Sequence, residues 1–165
     1  VTGDSWMFSR KVRQTLMEKG DEDSLRAFSY VPEVAWGRNN ARCGFPPIRG
    51  YYYEHKLPGD VRGVPHGSEL AYIFGTLDRF SRPWSEYDYN LMEILNGYWT
   101  NFAKTGDPNG EGLPYWPYYT ADNPVILHFT EDEIKAEDIV ENAAQDHVVE
   151  YTIDHPGMLM DLEGF

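Results

Sequence analysis

From Trp84 to Phe102 apolar side chains return every three or four positions, at Trp84, Tyr87, Leu91, Ile94, Leu95, Tyr98 and Phe102, with polar residues filling most of the gaps. That period predicts a long amphipathic helix over residues 84–106, entered after Pro83 and stopped by Gly106-Asp107-Pro108. The aromatic members of the stripe are expected to face a core. A weaker repeat of the same period, Phe8, Val12 and Leu16, predicts a helix within residues 4–19, with Asp4 or Ser5 at its start and Gly20 at its end. Residues 21–47 lose the periodicity among Pro32, Gly37, Gly44, Pro46 and Pro47, so they read as loop with a short helix near Val34–Arg42.

Two segments carry the β-branched and aromatic enrichment of strands. IRGYYYEH, residues 48–55, lies between Pro47 and Pro58-Gly59 and suits a buried strand. PVILHFTED follows the turn-rich DPNGEGLP and the cluster YWPYY. Between the first strand and the long helix, the loop KLPGDVRGVP leads into GSELAYIFG, a short helix expected to start at Ser68 with Glu69 in its first turn. Strands alternating with helices predict an α/β arrangement, and no internal repeat is visible.

Composition narrows the function classes. At 165 residues, 41% of them apolar, the chain is long enough for one domain with a core. Twenty-seven acidic against 14 basic residues give a net charge of −13, a field that repels phosphate backbones and anionic lipid, so nucleic acid is excluded as a partner. The acidic run TEDEIKAEDIVENAAQD reads as a solvated face or tail. Cys43 stands alone, so no intrachain disulfide forms and the compartment is left open. No apolar run is long enough to span a bilayer. Val1 is not an initiator residue, and the chain is expected to be a piece of a longer one.

Candidate chemistry concentrates at His66, on the loop that leaves the strand IRGYYYEH. In open α/β sheets catalytic groups gather outside the carboxyl ends of strands, where an imidazole can serve as acid and base. Three stretches give this position its context: GVPHGSELAYIFG, WTNFAKTGDPNGEGLPYWPYYT and VILHFTED. In order and spacing, His66-Gly67, Glu69-Leu70 and Phe74-Gly75, then Trp99, Phe102 to Asn109, and Trp116-Pro117 resemble the C-terminal third of the type-B carboxylesterases. These include the cholinesterases and para-nitrobenzyl esterases of the α/β-hydrolase fold. The resemblance is close over residues 50–131 and looser over 1–20, through GDSWMF.

That resemblance implies an α/β fold that is incomplete by itself, the last core strands and packing helices of an α/β-hydrolase over residues 1–165. It also implies that His66 is the triad histidine of a serine esterase that hydrolyses carboxylic esters without a cofactor or metal. The partners implied are a small-molecule ester and the remainder of the esterase chain. The nucleophile elbow Gly-x-Ser-x-Gly occurs nowhere in the 165 residues, nor do an oxyanion glycine cluster or a recognisable triad acid. Residues 1–165 are therefore expected to be inactive alone, as a fragment whose serine and acid lie upstream. The rival reading is a non-catalytic, cholinesterase-like interaction module, distinguished by loss of the serine from that upstream elbow.

Other motifs read as structural. Gly3-Asp4-Ser5 and Asp154-His155 lack the spacing of a second lipase type, and Glu69 is better suited to a helix start than to orienting His66. His55, His128, His147 and His155 lack the spacing of zinc ligands, and Asp107-Pro-Asn109-Gly-Glu111 reads as a helix-stop turn. Tyr72, Phe74 and Phe80 are candidate walls for a substrate pocket, as well as candidate core residues.

Overall fold

The computed structural model describes residues 31–61, 63–120, 122–138 and 143–154. The helix expected within 4–19 and the Gly3-Asp4-Ser5 and His155 motifs lie outside them. The elements in chain order are α1 (Val31–Cys43), β1 (Tyr51–Tyr53), α2 (Leu70–Ile73), a 3₁₀ turn at Leu77–Arg79, α3 (Glu86–Thr105), β2 (Val125–Phe129), β3 (Ile134–Asp138) and α4 (Ala143–Asp154). The three strands form one sheet in the order β1-β2-β3. β1 runs parallel to β2, with Tyr51 opposite Leu127 and Tyr53 opposite Phe129. β2 and β3 are joined by a tight turn closed by Thr130 N–H donating to Glu133 O at 3.0 Å, a connection only antiparallel strands can make.

Two compact units divide the chain. In the first, α1 and α4 pack together; Val34 and Ala35 of α1 and Val149 and Thr152 of α4 are buried. Arg38 joins Asp146 at 2.6 Å and Glu150 at 2.9 Å, and Arg42 reaches Glu150 at 2.8 Å. The helix begins one turn earlier than Val34. Its single-turn approach to Tyr119 depends on Gly37, where a Cβ would overlap the tyrosine ring.

In the second unit, formed by Tyr51–Pro117 and Leu127–Glu137, α3 lies on a core of Tyr72, Leu77, Leu91, Leu95, Tyr98, Trp116, Leu127 and Phe129. The sequence dictates both ends of α3. Ser85 Oγ accepts from Asp88 N–H while the Asp88 carboxylate accepts from Ser85 N–H, a capping box, and Gly106 closes the last turn at φ 79°, where a side chain would be strained. Leu91, Leu95 and Tyr98 of the predicted stripe are fully buried, and Tyr87 and Ile94 are half-buried. Phe102 departs from the expectation: it is 58% exposed, in the turn of α3 beyond the Tyr98–Trp116–Phe129 ring cluster.

Rings supply much of this core. Tyr51, Tyr98 and Trp116 all meet Phe129 edge to face with centroids 5.9–6.2 Å apart, and Trp99 and Trp116 flank Tyr51. β1 is shorter than residues 48–55 and half-buried, although Glu54 N–H still donates to Phe129 O at 2.8 Å beyond its end. The acidic run expected as a solvated face or tail holds structure: IKAED forms β3, with Ala136, Glu137 and Asp138 exposed, and α4 begins at Ala143.

Candidate active site

Pro65-His66-Gly67-Ser68 is a tight turn. Ser68 N–H donates to Pro65 O at 3.2 Å, and Gly67, third in the turn, takes φ 78°, the positive value that a type II turn demands and glycine supplies without strain. His66 thus occupies the second position of a turn fixed on both sides, and its residue is solvent-exposed. Ser68 does not start the helix as expected. Its hydroxyl donates back to Pro65 O at 2.6 Å and reinforces the turn, while α2 begins only at Leu70 after Glu69, whose side chain makes no capping hydrogen bond.

The helix that follows turns Tyr72 and Ile73 inward and leaves Leu70 half exposed and Phe74 69% exposed. Of the three residues read as pocket walls or core, Tyr72 is core: it has no exposed surface. Phe80, like Phe74, is exposed. Asp107 and Asn109 form the helix-stop turn, the Asp107 carboxylate accepting from Asn109 N–H at 2.9 Å, and the Asn109 amide pairs with the Trp116 backbone in both directions.

The imidazole and carboxylate that this unit brings together in its interior are His55 and Asp88, a pair the sequence reading missed. His55 Nε2 lies 2.8 Å from Asp88 Oδ1, and the same oxygen accepts the Tyr72 hydroxyl at 2.7 Å. Asp88 Oδ2 accepts Ser85 N–H at 2.7 Å and Ser85 Oγ–H at 2.6 Å. Asp88 is 1% exposed and His55 5%. Rings of Tyr53, Tyr72 and Tyr87 stand 5.4–6.3 Å from the imidazole, while Glu131 reaches within 3.4 Å of Nδ1. The legible signal was local: Ser85 followed three residues later by Asp88 is a capping-box spacing.

Burial alone would raise the Asp88 carboxyl, but hydrogen bonds from Ser85, Tyr72 and His55 outweigh it and hold the group at about 2. Burial also pushes the Tyr72 hydroxyl far above the ordinary tyrosine range, so it stays a donor to Asp88. The Asp88 value lies below its reference of 3.8, so its contribution to stability is complete above about pH 4 and is lost as pH falls towards 2. The stability gap between the native protein and Asp88→Asn is therefore expected to narrow by about 2 kcal/mol between pH 6 and pH 2. Urea unfolding of both proteins at the two pH values measures it, and a pH-independent gap contradicts the depressed value.

Among the described residues no group of three His, Cys, Asp or Glu side chains is arranged to hold a metal ion. No helix of the described residues is long and apolar enough to cross a membrane.

The family model described as "Carboxylesterase family" matches residues 18–148. The chain is 41% identical over 90 residues to carboxylesterase 4A of Bos taurus, covering 51% of this chain and 16% of the bovine protein. It is 37% identical over 98 residues to carboxylesterase 1C of Rattus norvegicus, covering 56% and 18%. Over 107 residues it is 37% identical to the fatty acyl-CoA hydrolase precursor, medium chain, of Anas platyrhynchos, covering 61% and 18%. The matched parts span less than a fifth of each relative's length.

Proposed function

The chain belongs to the carboxylesterase family, whose architecture is the α/β-hydrolase fold, and on that premise we propose that it is the histidine-bearing C-terminal segment of a serine carboxylesterase. The nucleophile and the triad acid are supplied by polypeptide upstream. Support comes from the small share of each relative that it covers and from the lack of a Gly-x-Ser-x-Gly elbow in its 165 residues. One observation supports the assignment of the base: His66 is held at the second position of the Pro65–Ser68 turn and is solvent-exposed.

In this reading His66 removes the proton from the serine hydroxyl as that oxygen attacks the ester carbonyl. The resulting imidazolium then protonates the departing alkoxide, leaving an acyl-enzyme. A water molecule, deprotonated by the same imidazole, attacks the acyl carbonyl and releases the carboxylic acid as the serine regains its proton. Leu70 and Phe74, apolar and exposed on the helix after the turn, offer surface to the acyl or alcohol part of the ester. Residues 1–165 alone carry out no ester turnover.

A fluorophosphonate probe tests this, because the phosphonylated product forms only where a serine is activated by a competent imidazole. The full-length protein is expected to be labelled rapidly and its His66→Gln variant at least 100-fold more slowly, roughly the contribution of a general base. Equal labelling of both removes His66 from the base role. No labelling of the native protein favours a binding module.

A further inference from the structure

We propose that Asp88 is the positioning residue of the His66 turn, a proposal that rests on the catalytic reading of His66 above. His55 lies just beyond the end of β1, where the chain departs towards the turn, and Tyr72 lies in α2, where it returns. Both side chains end on the same oxygen of Asp88, at 2.8 and 2.7 Å. The other oxygen of that carboxylate is held by Ser85 at the first turn of α3, the longest and most deeply packed helix of this unit. One buried carboxylate therefore ties the outgoing and the returning strand of the loop to a single rigid support. Further bonds run the same way: Asn96 of α3 donates to Ile73 O at 2.8 Å, and Arg82 donates to Pro58 O at 2.9 Å.

Charge and acceptor count make Asp88 specific to this task. Four hydrogen bonds from three residues converge on its two oxygens. An asparagine offers one accepting oxygen, which can still serve both His55 and Tyr72, whereas an alanine offers none and removes the anchor from both at once. With alanine the loop keeps its chain connectivity and loses both fixed ends. A displacement of about 1 Å at a reacting group costs on the order of 100-fold in rate, far more than it costs in affinity for a substrate held elsewhere. Asp88 touches neither substrate nor His66 in this scheme; it acts through His55 and Tyr72.

The test compares kcat and KM of the full-length enzyme with those of Asp88→Ala, Tyr72→Phe, Leu95→Ala and His66→Gln, each measured well below its unfolding temperature. Leu95 is fully buried in the same core and is the control for lost stability without lost anchorage. Asp88→Ala is expected to lower kcat between 10- and 100-fold with KM within about threefold, and Tyr72→Phe, which removes one of the two anchors, about 3- to 10-fold. Leu95→Ala lowers the unfolding temperature and leaves kcat within about twofold. If Asp88→Ala does not fold, Tyr72→Phe decides alone. Unchanged kcat in the foldable anchor variants, with His66→Gln inactive, overturns the positioning role and leaves the catalytic reading standing. An active His66→Gln overturns the catalytic reading itself.

Discussion

With His66 as the proposed general base, replacing it by glutamine in the full-length protein is expected to lower kcat/KM for ester hydrolysis by about 10⁴-fold, with stability changed by no more than about 0.5 kcal/mol. The separation of the two effects follows from where the residue sits. His66 is exposed at the second position of a turn, and the turn itself is held by Gly67 and by Ser68 bonding to Pro65. The backbone hydrogen bond survives the change, whereas glutamine can neither accept a proton from serine nor return it at neutral pH. Steady-state kinetics with an aryl ester, beside a thermal melt, resolve both parts. A residual activity within tenfold of the native enzyme is incompatible with a general base at this position.

The largest loss of stability is expected at Phe129. This ring is fully buried at the end of β2, edge-on to Tyr51, Tyr98 and Trp116 and tilted against Tyr53. Phe129→Ala removes the ring that four aromatic neighbours share, and two of those neighbours are themselves fixed: Tyr98 donates to Pro114 O at 2.6 Å, and the Asn109 amide holds the Trp116 backbone. Tyr98 and Trp116 cannot collapse inward without breaking those hydrogen bonds, so a cavity is left. The cost is expected to be about 3–5 kcal/mol, at the level of large aromatic truncations in tightly packed cores. Urea unfolding of the full-length protein measures it; a loss below about 1.5 kcal/mol means that the cluster repacks.

How much of this was legible in the sequence depended on the range of the interaction. Helix α3 was, because the spacing of Leu91, Leu95 and Tyr98 and the stop signal at Gly106 are local, and so was the strand character of VILHF and YYY. The place of His66 on the loop after β1 was equally visible, since a Pro-His-Gly sequence can hardly be anything but a turn. Ser68 was misread as a helix start because a hydroxyl beside a proline carbonyl has two local partners, and the turn claimed it. IKAED was missed as a strand because its alternation is only five residues long and sits inside an acidic run. The His55–Asp88–Tyr72 cluster had no linear signature beyond the capping spacing of Ser85 and Asp88. Its members are 33 and 16 positions apart, and a buried aspartate on the third residue of a helix is indistinguishable in sequence from a solvated capping residue.

The two outer strands of the sheet differ in what they show to a neighbouring chain. β3 bears Lys135, bracketed by Glu133 at 2.9 Å and Glu137 at 2.8 Å, and it ends on Asp138, so a backbone approaching that margin meets fixed charge of both signs. β1 is three tyrosines, uncharged and partly covered. Growth of the sheet by another strand is therefore discouraged at one border and tolerated at the other, giving this small sheet a direction of extension.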